Sequence, residues 1–253
     1  MILSHRIFLL HILLLGVWSC QTEKADQSKK IDSILSKKDS VIIIEQPIIS
    51  EVEQRMIEQG LVDIQSLDST IMVDLKYSTT DNFVKTDVYG DLTLAYMQVK
   101  PAQMLVKANK VLQEKYPNYR LLVYDAARPL NVQHTLWNLL DSIPPQKRED
   151  FVANPTIASI HNFGSAVDLT VYDLMNKKPL DMGTIFDFFG DLAYPRLENE
   201  MLKEGKLSEE QVANRIVLRE AMTSVGFMQI ETEWWHFNAI SRVRAKSLYK
   251  IVE

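Results

Sequence analysis

The stretch "SIHNFGSAVDLTVYD", residues 159–173, contains both a strand-like pattern and two potential metal ligands. Its second half alternates between two kinds of side chain, and a period of two residues is typical of a β-strand. The two expected faces carry Ala166, Asp168 and Thr170 on one side and Val167, Leu169 and Val171 on the other. The stretch therefore predicts a loop that runs into a strand with two chemically different faces.

The same stretch places two potential metal ligands, His161 and Asp168, seven positions apart. Gly164 lies between them and would let the turn adopt conformations that other residues avoid. A histidine and an aspartate alone do not distinguish a metal site from an ordinary loop before a strand. Catalytic zinc typically has three protein ligands and one open position, so a metal site here requires a third ligand elsewhere.

A candidate for the third ligand is His236 in "ETEWWHF", residues 231–237, where Glu233 precedes it by three positions. The β-forming residues of "FMQIETEWWHF", 227–237, predict a single strand. Strict alternation would then place Glu233 and His236 on opposite faces, unless a bulge or the end of the strand redirects one side chain. An edge strand of mixed aromatic and acidic residues, without chemistry, is the alternative.

Taken together, His161, Asp168 and His236 form a ligand set that suits zinc, with the Glu233 carboxylate close in sequence. The chain that follows residue 20 has only one other histidine, His134. His134 falls on a predicted helix, and we expect it to be a surface or core residue, not a ligand.

A third stretch, "DAARP" at residues 125–129, follows a predicted buried strand at 121–124. An arginine at the end of a strand, stiffened by Pro129, would direct a fixed positive charge into a cleft and stabilise an oxyanion there. The alternative is a surface salt bridge between Asp125 and Arg128, and this segment alone favours the salt bridge.

Helical and extended patterns alternate along the rest of the chain. Apolar residues at helical spacing predict helices over 104–112, over 132–140 and from Ser208 to Gly226, where Ser208 and Gln211 form a capping-box pattern. Few of the predicted strands follow one another through regular crossovers. The pattern therefore favours a mixed α+β domain over a doubly wound sheet.

The N-terminus has the pattern of a secretion signal. Its apolar run, residues 7–18, is shorter than the roughly 20 residues that a membrane-spanning helix needs. The run ends near Cys20, the only cysteine, in a context that resembles a relaxed bacterial lipobox. We therefore predict a signal peptide over residues 1–19 and lipidation of Cys20. A plain signal peptide, or an uncleaved anchor with an incidental cysteine, is the alternative.

Polar and charged residues follow, so we predict a flexible tether over residues 20–50 and one folded domain over residues 51–253. The net charge of −5 and the lack of a basic block argue against a nucleic-acid partner. The sequence indicates no protein partner, and its expected membrane contact is through the lipid anchor.

The stretches "DAARP", "SIHNFGSAVDL" and "ETEWWHF" resemble, in order and approximate spacing, the VanX-type D-alanyl-D-alanine dipeptidases. These are zinc peptidases related to zinc D,D-carboxypeptidases and to the Hedgehog signalling domain. Residues 75–90 and 180–190 resemble two further family segments, so the resemblance extends from about residue 62 to residue 238. It implies a single α+β domain with a central, mainly antiparallel sheet flanked by helices.

The resemblance also implies a role for each candidate residue. His161, Asp168 and His236 would bind one Zn²⁺ per chain, with Glu233 as the general base and Arg128 as the group that stabilises the oxyanion. Asp187 would hold the free amino group of the substrate, and Ser159 and Tyr77 would line the dipeptide pocket.

The implied activity is hydrolysis of the D-alanyl-D-alanine dipeptide in cell-wall turnover, within the bacterial cell envelope, by a periplasmic or membrane-anchored lipoprotein. A D,D- or L,D-carboxypeptidase is one alternative, and Asp187 argues against it because capture of an amino group suits a free dipeptide. A non-catalytic lipoprotein braced by zinc is another. Glu233 and Arg128 argue against that alternative, because a structural zinc site needs neither.

Overall fold

The computed structural model describes residues 49–149 and 151–253 of the chain. The predicted signal peptide, Cys20 and nearly all of the predicted tether lie outside the described residues. Residues Ile49–Glu253 form one compact unit, whose first helix begins at Glu51. None of the helices within the described ranges is long and apolar enough to cross a membrane.

The described residues form eight α-helices and eight β-strands. The helices are α1 (Glu51–Glu58), α2 (Ile64–Leu67), α3 (Val99–Lys115), α4 (Leu130–Leu139), α5 (Pro145–Arg148), α6 (Glu198–Lys203), α7 (Glu209–Thr223) and α8 (Arg242–Leu248). The strands are β1 (Leu61–Asp63), β2 (Met72–Val73), β3 (Tyr96–Gln98), β4 (Tyr119–Asp125), β5 (Ala166–Asp173), β6 (Lys178–Pro179), β7 (Met228–Gln229) and β8 (His236–Asn238).

The main sheet has the strand order β2-β4-β5-β8-β7, and β6 pairs with the end of β5. Only the β2–β4 pair is parallel, and the other pairs in this sheet are antiparallel. Helix α3 packs against β4 and against α7, and α7 also contacts β5. The predicted α+β class, with a mainly antiparallel sheet flanked by helices, is confirmed.

Strand β5, which the alternating pattern predicts, is the centre of this sheet because it lies between β4 and β8. Both of its faces are buried: Val167 and Leu169 on one side are inaccessible, and so, almost completely, are Asp168 and Thr170 on the other. A carboxylate in such a position needs a compensating positive charge or hydrogen-bond donors. The fold therefore requires a partner for Asp168.

Helix α7 begins with the predicted capping box. The Ser208 hydroxyl accepts a hydrogen bond from the Gln211 backbone, and the Gln211 side chain accepts one from the Ser208 backbone. From inside this helix the buried Arg215 donates to the carbonyl oxygens of Met182 and Leu192, each at 2.7 Å. Helix α7 thus holds both ends of the loop that carries Asp187.

The prediction of one strand over residues 227–237 is wrong. Strands β7 and β8 are short and pair with each other antiparallel, so residues 230–235 form the loop of a hairpin. The side chains of Trp234 and Trp235 are both buried, which a half-exposed alternating strand would not allow. Glu233 therefore lies in a loop, and the argument that alternation separates it from His236 does not apply.

Gly164 closes the turn before β5 in the left-handed region, with φ of 61°. An added Cβ would lie 3.0 Å from Leu61 Cδ2 and 3.3 Å from the Gln98 nitrogen. We expect Gly164→Ala to lower the free energy of unfolding by about 2–3 kcal/mol in urea denaturation, through backbone strain and overpacking. Gly60→Ala is the matched control, because Gly60 has φ of 86° but open space around it. Its expected loss is about 1 kcal/mol, and equal losses would contradict a contribution from overpacking.

Candidate metal centre and the cavity around it

The three predicted metal ligands come together where β5 pairs with β8. Asp168 lies directly opposite His236 in the register of these two strands. His161 begins the short 3-10 turn before β5, and the turn at Gly164 folds it back toward the strand. All three side chains are buried, and their ligand atoms lie within 4.8 Å of one another. The fold therefore assembles the predicted ligand set.

The separations between the ligand atoms suit a tetrahedral ion. His236 Nδ1 lies 2.9 Å from Asp168 Oδ1, and His161 Nε2 lies 3.4 Å from Asp168 Oδ2. The two ring nitrogens are 3.2 Å apart. Ligands about 2.0–2.1 Å from a tetrahedral zinc ion are about 3.3 Å from each other.

Hydrogen bonds at the far side of each ring determine which nitrogen faces the metal site. His161 Nδ1 lies 2.7 Å from the Ala126 carbonyl oxygen, and His236 Nε2 lies 2.9 Å from Asn238 Oδ1. Each of these nitrogens must carry the proton, because its partner is an acceptor. The opposite nitrogens then meet Asp168 at one point, where a positive charge, supplied by a proton or by a metal ion, relieves the repulsion between their lone pairs. The residues present therefore fit a metal ion.

The electrostatics of the cluster also favour a positive charge. Burial alone would raise the pKa of Asp168, but His161 and His236 outweigh it and hold this pKa well below its usual range. Burial alone would lower the pKa of His236, but the hydrogen bond to Asp168 raises it to about 9. The cluster thus keeps the carboxylate ionised and stabilises a cation beside it.

Asn238 orients His236 and was not predicted. We expect Asn238→Ala to weaken metal binding about 10- to 100-fold, because the His236 ring loses the acceptor that fixes its proton. The affinity can be measured by competition with a chromophoric chelator. Asn214→Ala is the control. Asn214 lies on α7, donates to the carbonyl oxygen of Asp181 in a loop, and does not line the cavity. Equal affinities for all three proteins would contradict the orienting role.

A cavity of about 330 Å³ opens over the metal ligands. It is lined by every predicted site residue within the described ranges: Tyr77, Arg128, Ser159, His161, Asp168, Asp187, Glu233 and His236. The structure thus brings these residues to one place, at the lower end of the range of about 300–1,000 Å³ for small-molecule sites. Their individual roles stay predictions.

Glu233 enters the cavity from the loop between β7 and β8. Its Oε2 atom lies 3.7 Å from His236 Nδ1, so the carboxylate is adjacent to the ligand cluster. Burial raises the pKa of Glu233 above its usual value, although the nearby His236 opposes the shift. A carboxylate with a raised pKa accepts a proton more readily, which a general base near neutral pH requires.

Arg128 does form the ion pair with Asp125 that the sequence suggested as an alternative, but the pair is buried and does not lie on the surface. Arg128 also donates to Gln133 Oε1 at 3.0 Å, and its guanidinium lies 5.0 Å from the centre of the Tyr77 ring. These contacts fix the side chain, and NH2 remains 3.9 Å from Asp168. The ion pair therefore holds the charge of Arg128 beside the metal site.

Asp187 and Tyr77 form a second polar group in the cavity wall. The Tyr77 hydroxyl donates to Asp187 Oδ2 at 2.9 Å. Asp187 has φ of 56°, a costly conformation for a residue with a side chain, and such strain is frequent at functional sites. Burial raises the pKa of Asp187 well above its usual value, and the charge of Asp168 adds to this shift. This carboxylate would gain from a positively charged ligand group.

Ser159 lies at the edge of the turn that carries His161. Its hydroxyl oxygen accepts a hydrogen bond from the His161 backbone nitrogen at 3.3 Å, and its side chain is buried against the cavity.

Several residues of the site escaped the sequence analysis. Asn238 stands two positions after His236, on the same face of the strand, and this spacing would have identified it. The sequence of segment 141–158 predicts no role for it, yet it supplies part of the cavity wall: Glu149, Phe151, Val152 and Ala153. Its sequence carries no signal for this, because the contact depends on how the segment packs in the folded protein.

Comparison with known proteins identifies the family. Residues 57–251 match the Peptidase_M15 family, described as D-ala-D-ala dipeptidase. The chain belongs to this family. Membership in Peptidase_M15 makes the protein a metallopeptidase, and His161, Asp168 and His236 form a cluster able to hold its metal.

Several relatives carry the name D-alanyl-D-alanine dipeptidase. The protein from Escherichia coli (strain K12) is 29% identical over 70% of this chain and 83% of its own length. Those from Enterococcus faecalis and Enterococcus faecium are 26% and 28% identical, over 72% and 71% of this chain and 93% and 91% of their own lengths. The resemblance read from the sequence motifs is confirmed.

A solved LdcB LD-carboxypeptidase is also similar to this chain, at 17% identity and a TM-score of 0.33, over 60% of this chain and 63% of that one.

Proposed function

We propose that this metallopeptidase hydrolyses the free dipeptide D-alanyl-D-alanine to two D-alanines, with Zn²⁺ held by His161, Asp168 and His236. The observation that carries the proposal is that the ligand cluster, Glu233 and Arg128 line one small cavity. The names of the relatives, at 26–29% identity over most of this chain, support the choice of substrate.

A zinc ion at this site would polarise the scissile carbonyl and lower the pKa of a water molecule toward about 7. Glu233 takes the proton of the attacking water and returns it to the leaving amine. This role is supported by the 3.7 Å between its Oε2 atom and His236 Nδ1 in the ligand cluster. Its raised pKa makes it a stronger proton acceptor than a fully solvated glutamate.

Arg128 stabilises the negative charge that develops on the carbonyl oxygen during the attack. A guanidinium is most effective where charge appears only in the transition state and where the group is already held in place. Asp125 and Gln133 hold it in this way, through hydrogen bonds of 3.0 Å each. In this proposal, the buried ion pair with Asp125 therefore serves catalysis by holding the Arg128 guanidinium in place.

Asp187 selects a substrate with a free amino group. The ammonium of a dipeptide would compensate a carboxylate whose pKa is raised by burial, while Tyr77 keeps that carboxylate oriented. A peptidoglycan stem has an amide at the corresponding position and would leave Asp187 without a partner. This argues for a dipeptidase over a D,D- or L,D-carboxypeptidase.

We further propose that the enzyme acts in cell-wall turnover within the bacterial envelope, as a periplasmic or lipid-anchored protein. Only the sequence of residues 1–20 supports this, through the short apolar run and the position of Cys20. Labelling of the full chain with a radioactive fatty acid in a bacterial host should depend on Cys20. Equal labelling of a Cys20→Ser variant would contradict lipidation there.

The function is tested with the purified, zinc-loaded protein by measuring release of D-alanine. We expect turnover of D-alanyl-D-alanine and a kcat/KM at least about 100-fold lower for its N-acetylated form, which lacks the ammonium. A preference for the N-acetylated peptide would favour the carboxypeptidase. A protein that binds one zinc ion and hydrolyses no D,D-dipeptide would contradict the proposal and favour the non-catalytic alternative.

A further inference from the structure

The cavity has a second arginine, Arg242, that the proposed mechanism does not use. It is the first residue of α8 and is half-buried. The guanidinium of Arg128 is committed to the ion pair with Asp125. Within the described ranges, no side-chain hydrogen bond or ion pair joins Arg242 to another residue. Arg242 is therefore a cation of the cavity wall that is available to a ligand.

The helix α8, which carries Arg242, packs against the segment that carries Ser159, and both residues line the cavity. Ala245, one turn further along the helix, is fully buried against Ala158 and Phe163 in a small separate apolar cluster. These two residues belong to the segment that carries Ser159 and His161. The helix is thus fixed to the turn that bears the first metal ligand, and Arg242 has a defined place in the wall.

Two further donors belong to this wall. Asn238 uses its Oδ1 atom as the acceptor for His236, and its Nδ2 group has no partner in the described part of the chain. The Ser159 oxygen accepts from the His161 nitrogen, which leaves its own hydroxyl proton to donate. Both side chains are more than nine-tenths buried and both line the cavity. Together with Arg242 they present donors only, which suits an anion.

The chemistry of the proposed substrate indicates that this anion is a carboxylate. A free dipeptide carries an ammonium at one end and a carboxylate at the other, and Asp187 already accounts for the ammonium. The carboxylate needs donors elsewhere in the cavity, because burying it without a partner would be costly. An arginine matches a carboxylate especially well, since two parallel N–H groups meet its two oxygens.

We propose that Arg242 binds the terminal carboxylate of the substrate and so selects peptides with a free C-terminus at the residue that leaves. This rests on the proposed function, because it takes the substrate to be a dipeptide. Arg242 contacts a part of the substrate that does not react. It therefore contributes equally to binding the ground state and the transition state, and determines KM more than kcat.

The test compares D-alanyl-D-alanine with its C-terminal amide, which lacks the negative charge. For the free acid we expect Arg242→Gln to raise KM about 10- to 100-fold, with kcat within about twofold of the wild type. For the amide we expect no change in either constant. Arg242→Lys should recover part of the affinity for the acid, because it keeps the charge but not the paired donors.

Arg244→Gln is the matched control. It removes the same charge from the same helix, but Arg244 is exposed and is not part of the cavity lining. We expect it to behave as wild type with both substrates. Equal losses for acid and amide in Arg242→Gln, or equal effects of the two variants, would overturn the proposal. Thermal melting of each variant shows whether α8 remains folded.

Binding separates this proposal from the proposed function. Calorimetric titration of D-alanyl-D-alanine into zinc-loaded Glu233→Gln protein reports affinity without turnover. Suppose that the wild type hydrolyses nothing while the affinity of Glu233→Gln protein for the dipeptide still falls when Arg242→Gln is added. That result would contradict the proposed function but support the contact between Arg242 and the carboxylate. If affinity is the same with and without Arg242, or the dipeptide does not bind, the contact is overturned.

Discussion

Replacing Glu233 with glutamine is expected to lower kcat for D-alanyl-D-alanine by about 10²- to 10⁴-fold, the usual contribution of a general base. Glutamine keeps the size of the side chain but cannot take the proton of the attacking water. KM and zinc content should change little, because Glu233 is not one of the three ligands. Steady-state kinetics, with metal content measured by mass spectrometry, separate these quantities.

Glu231→Gln is the control for this variant. Glu231 is an exposed residue of the same loop, and it does not line the cavity. The control should retain wild-type kcat, since it changes the net charge equally but not the reacting centre. A fully active Glu233→Gln would show that another group accepts the proton, and Glu149 is the remaining cavity carboxylate without a predicted role.

Replacing Arg128 with alanine is expected to lower kcat/KM by about 10²- to 10³-fold, as removal of an oxyanion donor does in other hydrolases. The change also leaves Asp125 buried without its cation, which should cost about 3–5 kcal/mol of stability. Kinetics must therefore be measured on protein shown to be folded by circular dichroism and to hold its metal.

Arg128→Lys supplies a second measurement if the alanine variant is not folded. It retains a positive charge in the cavity but loses the fork that contacts Asp125 and Gln133 together. Arg120→Ala, in the strand β4 that precedes Arg128, is the control, since its side chain donates to the nearby carbonyl oxygens of Pro117 and Tyr119. If folded Arg128 variants lose stability but keep wild-type kcat/KM, Arg128 acts only as the partner of Asp125 in a structural ion pair.

Elements with strong local signals could be predicted from the sequence. The capping box at Ser208 and the apolar stripe behind it determine α7 without help from the rest of the chain. The last helical residue is Thr223, and Gly226 ends the helix as predicted: with φ of 99° it donates to the Thr223 carbonyl oxygen while Phe227 donates to that of Met222, the pair of bonds that closes a helix at a glycine. The alternating pattern likewise predicted strand β5.

The strand predicted over residues 227–237 failed for a physical reason. Tryptophan has a high β-propensity because it packs well on pleated surfaces, but two adjacent tryptophans can also both be buried when a loop folds over the core. Trp234 donates from its ring nitrogen to Thr184 and lies at right angles to Trp235, contacts that belong to tertiary packing. These tertiary contacts cannot be predicted from a single sequence.

The candidate site was predictable as a set of residue types but not as a structure. The ligands, the base and the arginine could be found from their motifs. The burial of the Asp125–Arg128 pair could not, because a charged pair on a short segment is ordinarily exposed. Arg242 and the wall formed by segment 141–158 likewise depend on how distant segments meet.

The ligand cluster described above joins residues that are far apart in the chain. His236 is separated from Asp168 by 68 positions and from His161 by 75, and they meet only after β8 has paired with β5. An unfolded chain offers no such cluster, so a metal ion binds the native state selectively. By mass action, free metal at 1,000 times its dissociation constant would add about 4 kcal/mol to the free energy of unfolding. The supply of metal around this protein therefore sets part of its resistance to unfolding and proteolysis, independently of any reaction it performs.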